Sequence, residues 1–216
     1  MQKIMFNDKY GLTDLVLSGQ KTQTRRMISQ KLMDKYDELL ENYEVASFNV
    51  GVSCIIKSKE EFLLERSPYR IGEMVAVAMS YKSIYERVAK TWIYERVTKT
   101  WEYAEEYKNK HKGLAGWKNK MVIKPDLMPY TIKITNIRFE KLQDISDKDC
   151  LKEGIYEDGD DSSGLYVVPF YDFWGNKGDG FDNPKEAFAA LIDKINGKGT
   201  WVSNPYMWVY DFELVK

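Results

Sequence analysis

The segment from Gly19 to Arg26 holds a concentration of side chains that could perform chemistry. It reads Gly-Gln-Lys-Thr-Gln-Thr-Arg-Arg, so a lysine, two threonines and two arginines fall within eight residues. These residue types contribute little to a hydrophobic core, but they suit the binding of an anion or a nucleic acid. A threonine hydroxyl is also a nucleophile that becomes effective beside a base. The segment is therefore the first candidate site.

Lys21 and Thr24 are the candidate base and nucleophile. Residues i and i+3 of a regular strand point to opposite faces, so the backbone must turn or bulge if these two act together. Gly19 precedes them and permits an irregular path. Arg25 and Arg26 could lower the pKa of the lysine, as a base requires, or could instead bind phosphate or stack on a nucleobase. An edge strand with solvated charges is the structural alternative.

Composition limits the class of protein. The chain has 216 residues and a formal net charge of −1, so a strongly basic nucleic-acid binder is not indicated, although a local basic patch is compatible. Cys54 and Cys150 lie far apart and His111 is the single histidine, so the usual zinc-binding sets cannot form. No apolar run fits a signal peptide or a membrane span, and no phosphate-binding glycine motif is present. We therefore expect a cytoplasmic protein without metal, cofactor or membrane contact.

The elements that would position the segment alternate between helices and strands. Periodicity and capping residues predict helices over 8–18, 29–43, 146–153 and 183–196. Alternating apolar residues predict strands over 52–57, 73–80, 130–140 and 207–215. The first helix should end at Gly19, while Ser146 and Asn183 should cap two later helices. This order favours an α+β fold with a small mixed β-barrel over a doubly wound sheet.

Three further segments carry unusual composition. Residues 84–92 and 93–101 are nearly identical copies, which we interpret as a helical insertion with one copy packed and the other more exposed, or as a protein-binding helix that presents Trp92 or Trp101. Residues 108–124 carry six lysines and form either a solvated loop or a basic surface for a phosphate backbone. Residues 156–182 read as a long loop whose acidic run lacks calcium-site spacing.

The pattern Gly19-x-Lys21-x-x-Thr24-x-Arg26 resembles the GxKxxTxR signature of the ASCH domain family, which belongs to the PUA-like superfamily. Residues 69–78, 142–155 and 197–205 also resemble longer, phage- and bacteria-associated ASCH proteins. The resemblance implies one β-barrel domain over 1–216, surrounded by helices, with insertions near 29–66, 82–118 and 156–182. It also implies a cleft for RNA or a modified nucleoside.

One branch of small bacterial ASCH proteins hydrolyses N4-acetylcytidine with a lysine, a threonine nucleophile and a glutamate. The resemblance implies these roles for Lys21 and Thr24, and it places the glutamate best at Glu153. Glu153 would lie at the C-terminal end of a short helix, where a carboxylate opposes the helix dipole, which hints at another reason for its presence.

Three functions are therefore open. The first is binding of RNA or a modified nucleoside, with the ligand-binding residues Gly19, Arg25, Arg26 and Trp201. The second is amide hydrolysis of an acylated base, with the catalytic residues Lys21, Thr24 and Glu153. The third is protein binding through residues 84–101.

Overall fold

The chain combines helices with a mixed sheet, which confirms the α+β prediction. The computed structural model describes residues 1–50, 58–95, 98–157, 165–167 and 180–215, and for 43–50, 90–95, 98–101 and 167 it describes the backbone alone. The helices are α1 Leu12–Leu17, α2 Gln30–Val50, α3 Lys59–Glu65, α4 Tyr81–Glu95, α5 Thr98–His111, α6 Asp147–Lys152, α7 Pro184–Asn196 and α8 Thr200–Ser203. The strands are β1 Gln2–Ile4, β2 Gln23–Met27, β3 Met74–Val77, β4 Thr131–Lys141, β5 Tyr156–Glu157, β6 Tyr166–Val167 and β7 Tyr206–Leu214.

Five of these strands form one open sheet in the order β1–β3–β4–β7–β2. Strands β1 and β3 are parallel, and β2 and β7 are antiparallel with Thr24 opposite Tyr210. Strands β5 and β6 form a separate hairpin. Because the described sheet ends at β1 and β2, closure into a barrel stays a prediction.

The described residues fall into two compact units. The first comprises residues 1–6, 74–132 and 214–215, and the second comprises residues 7–73 and 133–213. The second unit contains the whole segment from Gly19 to Arg26 and also Glu153. None of the described helices combines the length and the apolar character needed to cross a membrane.

The first unit contains the duplicated segment. Helices α4 and α5 pack in antiparallel fashion, because the Tyr81 ring lies 4.4 Å from the His111 ring while the Tyr85 hydroxyl donates a hydrogen bond of 3.1 Å to Glu105. The first copy lies within α4, where Ile84 is buried. Residues 93–95 of the second copy end α4 and residues 98–101 begin α5, so the helix prediction is confirmed for the described parts of this copy. The side chains of Trp92 and Trp101 lie outside the described residues.

The local signals of the second unit are largely confirmed. Ser146 caps α6 by accepting from the Asp149 N–H at 3.2 Å, and Asn183 caps α7 by accepting from the Glu186 N–H at 2.9 Å. The helix predicted over 8–18 is shorter, because Gly11 adopts a left-handed φ of 66° and separates a 3-10 turn from α1. Helix α2 continues to Val50, beyond the predicted end at residue 43. The strand predicted over 52–57 lies outside the described residues, as does most of the loop predicted over 156–182.

Candidate functional site

Gly19 shapes the approach to the site. It has a left-handed φ of 77°, and its N–H donates to the Val16 carbonyl at 3.1 Å, so it ends α1 as predicted. The Lys21 N–H then donates to the Leu15 carbonyl at 2.9 Å, and β2 begins only at Gln23. Lys21 therefore lies in a turn against α1. Strand β2 thus does not extend back to Lys21, and the regular alternation of strand faces applies only from Gln23 onward.

Lys21 and Glu153 form a buried ion pair. The Lys21 Nζ lies 2.5 Å from Glu153 Oε2 and donates to the Glu153 backbone carbonyl at 2.7 Å. The two side chains are 2% and 5% exposed, so water hardly screens the pair. Gly154 packs beside the aliphatic part of the lysine, because a Cβ on this glycine would lie 3.8 Å from the Lys21 Cβ. The structure thus brings together two of the three predicted catalytic residues.

Arg25 binds the same carboxylate from a second side. Its NH1 group lies 3.0 Å from Glu153 Oε1 and donates to Gln23 Oε1 at 2.5 Å. Its NH2 group lies 2.5 Å from Glu140 Oε1, and its guanidinium carbon lies 5.7 Å from the centre of the Phe188 ring. The Arg25 side chain is fully buried. Arg25 is therefore engaged by two carboxylates inside the protein and does not present its charge to a phosphate backbone.

A second arginine extends this network across the sheet. Arg138 lies 3.1 Å from Glu140 Oε2, 2.8 Å from Asp149 Oδ2 and 2.8 Å from Asp211 Oδ2. The Gln23 amide donates to both Asp149 and Asp211, at 3.1 and 2.6 Å. These contacts join α6, β2, β4 and β7 into one alternating array of charges that ends at Lys21.

Thr24 lies on the opposite face of β2 from Arg25, in register with Tyr210. Its side chain is 5% exposed, and its hydroxyl has no hydrogen-bond partner among the described residues. Tyr210 and Ser67 hydrogen-bond through their hydroxyls at 2.7 Å, and the Tyr69 ring packs edge-on against Tyr210 at 5.2 Å. The Thr24 face therefore combines a free hydroxyl with tyrosine rings.

Burial is the main electrostatic influence on the site. Desolvation lowers the pKa of Lys21, the Glu153 carboxylate opposes this decrease, and the positive charges of Arg26 and Arg25 add to it. Desolvation also lowers the pKa of Arg26, against the effects of Tyr69 and Glu153. The Lys21–Glu153 pair thus lies within electrostatic range of both faces of β2, because Arg25 and Arg26 point to opposite faces.

Two predicted site residues have other roles. Trp201 is half-buried near α7, where its backbone N–H donates to Asp193 Oδ1 at 2.7 Å and its ring lies edge-on to Phe188 at 6.2 Å. Trp201 and Arg25 both lie near the Phe188 ring, but among the described residues Trp201 has no hydrogen bond or ring contact with Lys21 or Glu153. Gly19 supplies a helix end.

A cavity of about 310 Å³ lies near the C-terminal end of α6. Its wall includes Leu15, Gln20, Gly154, Tyr156 and Tyr166. Gln20 precedes Lys21 and Gly154 follows Glu153 in the chain, so the wall contains chain neighbours of the pair, whereas Lys21, Thr24 and Glu153 themselves do not line it. Its volume is at the lower end of the range for small-molecule sites.

The lysine-rich segment 108–124 contains the end of α5 and short 3-10 turns rather than a plain loop. Lys108 pairs with Glu105 at 3.0 Å, and Lys120 donates to the Phe6 carbonyl at 2.6 Å. His111 stacks on Tyr107 at 4.1 Å and lines a cavity of about 270 Å³. Two of the lysines therefore have internal partners, and a nucleic-acid role for the others stays a prediction.

Several members of the network were missed by reasoning from the sequence. Arg138 and Glu140 are two residues apart on a predicted strand, and Asp211 interrupts an otherwise apolar and aromatic strand. A charge inside a strand pattern is a usable signal, because it requires a partner when its face is covered. The partner itself depends on cross-strand register, which no single segment reveals.

Comparisons with known proteins add no assignment. No family model matches the sequence, and neither the curated proteins nor the solved structures give a match. Among the described residues, no cluster of histidine, cysteine and acidic side chains is arranged to hold a metal ion. The functional argument therefore depends on the site and on the resemblance of the Gly19–Arg26 segment to the ASCH signature.

Proposed function

We propose that the protein is an ASCH-type amidohydrolase that removes an acyl group from the exocyclic amine of a nucleobase or nucleoside. The observation that carries this proposal is the buried Lys21–Glu153 pair, with Nζ and Oε2 separated by 2.5 Å, at the start of the strand that bears Thr24. A solvated edge strand would leave Lys21 exposed, whereas this lysine is 2% exposed.

The pair suits a proton-transfer role. A lysine acts as a base only in its neutral form, and burial together with the nearby arginines favours that form. A proton on Lys21 Nζ can pass to Glu153 Oε2 along their hydrogen bond, which leaves a neutral amine. The aliphatic part of the lysine is held by Gly154, so the amine has a defined position.

The reaction then proceeds through a threonine ester. The Thr24 hydroxyl attacks the amide carbonyl and gives its proton to Lys21, and the resulting oxyanion is stabilised by Arg26 or by a backbone N–H. Collapse breaks the carbon–nitrogen bond, and the leaving amine takes a proton from the Lys21–Glu153 pair. Water, deprotonated by Lys21, hydrolyses the ester to release the carboxylic acid and restore Thr24.

Burial of Arg25 favours a small substrate over a phosphate backbone. Both terminal groups of this arginine bind carboxylates, and the cavity of about 310 Å³ beside Gly154 is lined by two tyrosines. Aromatic side chains in such a cavity suit a planar base. A closed PUA-like barrel, a single domain with the three insertions and a cytoplasmic location belong to this proposal, as the resemblance and the substrate class imply.

The test is hydrolysis of a panel of N-acylated nucleosides, beginning with N4-acetylcytidine and followed by chromatography of the released nucleoside. We expect the wild-type protein to turn over at least one substrate. Thr24→Ala, Lys21→Met and Glu153→Gln should each lose about 10³-fold or more in kcat. Thr22→Ala is the matched control, since the hydrogen bonds that Thr22 forms with described residues use its backbone alone, and it should keep wild-type turnover. A folded Thr24→Ala variant with full activity would refute the mechanism.

Nucleoside binding without catalysis is the second candidate. It is favoured by the absence of a hydrogen bond between Thr24 and Lys21 in the described structure, although such bonds often tighten only when substrate is bound. Calorimetry separates the two functions. A binding protein would bind the nucleoside and release no acid even as the wild type, whereas the enzyme would release acid as the wild type and would bind but not turn over substrate after Thr24→Ala. Binding of RNA through residues 108–124 and of a protein through residues 84–101 stay predictions.

A further inference from the structure

Arg25 occupies a position that the GxKxxTxR pattern leaves unspecified, yet its side chain is the most completely enclosed cation of the network. It is fully buried, and its two terminal nitrogens contact Gln23, Glu140 and Glu153. An arginine that served only the surface would be exposed. The degree of enclosure calls for a role inside the site.

We propose that Arg25 is a positioning residue, which holds the Glu153 carboxylate in place so that its second oxygen is presented to Lys21. Arg25 NH1 binds Oε1 at 3.0 Å, and Lys21 Nζ binds Oε2 at 2.5 Å. The two cations thus fix opposite oxygens of one carboxylate and leave it little freedom to rotate. The catalytic consequence rests on the proposed function, whereas the control of Lys21 by Arg25 does not.

Arg25 can do this because it is itself held from several directions. Gln23 and Glu140 accept from its terminal nitrogens at 2.5 Å each, and Phe188 lies against the guanidinium. Glu140 is in turn bound by Arg138, which is anchored by two further carboxylates. A forked guanidinium can hold two carboxylates at once, whereas a lysine ammonium offers a point charge without that geometry.

Arg25 also contributes to the lowered pKa of Lys21, after the larger effects of burial, Glu153 and Arg26. The charged groups that face Lys21 are Glu153 from the end of α6 and both Arg25 and Arg26 from β2, while Leu15 of α1 and Gly154 are apolar neighbours. The positive charge of Arg25 disfavours a second positive charge on Lys21. Loss of that charge should therefore raise the pKa of Lys21 and reduce the fraction of neutral base.

Arg25 also faces groups other than Lys21. These are Glu140 of β4, Glu153, and Cys150 of α6. The charge of Arg25 affects the pKa of the Cys150 thiol, as do the charges of Asp147, Glu153 and Lys185. Glu140 and Arg25 carry opposite charges, so their removal should affect Lys21 in opposite directions. The two substitutions therefore test the direction of the change in the Lys21 pKa as well as its size.

The test is a pH titration of ¹³Cε-labelled lysine by NMR, with the Lys21 signal assigned by its absence in Lys21→Arg. In Arg25→Gln we expect the Lys21 midpoint to move to higher pH, because a positive charge that disfavours protonation of the amine is removed. In Glu140→Gln the midpoint should stay at or below that of the wild type. A midpoint in Arg25→Gln that is unchanged or lower would overturn the proposal, whether or not the protein is an enzyme.

Kinetics test the positioning itself. Arg25→Lys keeps the charge but loses the fork, so its Lys21 midpoint should match the wild type while kcat falls by about tenfold and KM changes little. This variant also decides the question if Arg25→Gln does not fold. Wild-type kcat in Arg25→Lys would overturn the positioning role. Absence of hydrolysis by the wild-type protein would instead contradict the proposed function, and the NMR titration would still decide the influence of Arg25.

Discussion

The buried pair of Lys21 and Glu153 should show strong energetic coupling, which a double-mutant cycle can measure. Glu153→Gln leaves two buried cations without their shared carboxylate, and loss of one partner of a buried pair typically costs about 3–5 kcal/mol. Lys21→Met should cost less, about 2 kcal/mol, because Glu153 still binds Arg25 at 3.0 Å. In the double variant the lost contacts are the same ones, so the two costs should not add. We expect a coupling energy of about 2 kcal/mol.

The assay is urea unfolding at pH 7, followed by circular dichroism, for the wild type, both single variants and the double variant. Lys133 and Glu213 provide the matched control, because they form a Lys–Glu pair of 3.7 Å in the same unit, with side chains 47% and 58% exposed. The corresponding cycle, Lys133→Met with Glu213→Gln, should give a coupling below about 1 kcal/mol. A coupling of the buried pair no larger than that of the exposed pair would refute the claim that burial makes it strong.

Three further predictions concern the surroundings of the site. Gly154→Ala should destabilise the protein by about 2–3 kcal/mol in urea unfolding, because φ is 103° and the new Cβ would lie 2.7 Å from Leu15 Cδ1. Gly19→Ala is the control and should cost about 1 kcal/mol, because φ is 77° but the new Cβ would meet open space. Equal costs for the two variants would contradict this reasoning. Burial raises the pKa of Cys150 to about 12. A thiol reagent at pH 8 should therefore label the peptide that contains Cys150 only after the protein is unfolded. Rapid labelling of this peptide in the folded protein would contradict the burial of the thiol. Desolvation raises the pKa of Tyr210 to about 12, so the folded state keeps a proton that the unfolded state loses above about pH 10, and stability should fall between these values. The stability of Tyr210→Phe should not show this part of the decrease. If the unfolding free energies of the wild type and of Tyr210→Phe fall equally over this pH range, the reasoning is wrong.

Elements with local signals could be predicted from the sequence. Ser146 and Asn183 cap their helices through bonds within three residues, and Gly19 ends α1 with a backbone conformation that glycine favours. Helix α3 was missed although Ser58 and Glu61 form a capping box there, since Ser58 accepts from the Glu61 N–H at 3.2 Å. That signal was readable, and the helix could have been predicted from it.

The site was only partly predictable, for a physical reason. Lys21 and Glu153 are 132 residues apart in the chain, and the pair was predicted through a resemblance rather than from either residue alone. The contacts of Arg25 with Glu140, and of Glu140 with Arg138, depend on the order and register of strands in the sheet. A shift of one residue in register would turn these side chains to the other face. Sequence patterns show that charges are present, but the fold determines their partners.

The most direct test of the central claim is detection of an acyl group on Thr24. The protein would be quenched during turnover of the slowest substrate in the panel, digested with trypsin, and analysed by mass spectrometry. Cleavage after Lys21 and after Arg25 isolates both threonines of the segment in one short peptide. Our account predicts one acyl group on this peptide, located on Thr24 by fragmentation and lost in Thr24→Ala. Turnover with this peptide unmodified, or with the acyl group on Thr22, would contradict it.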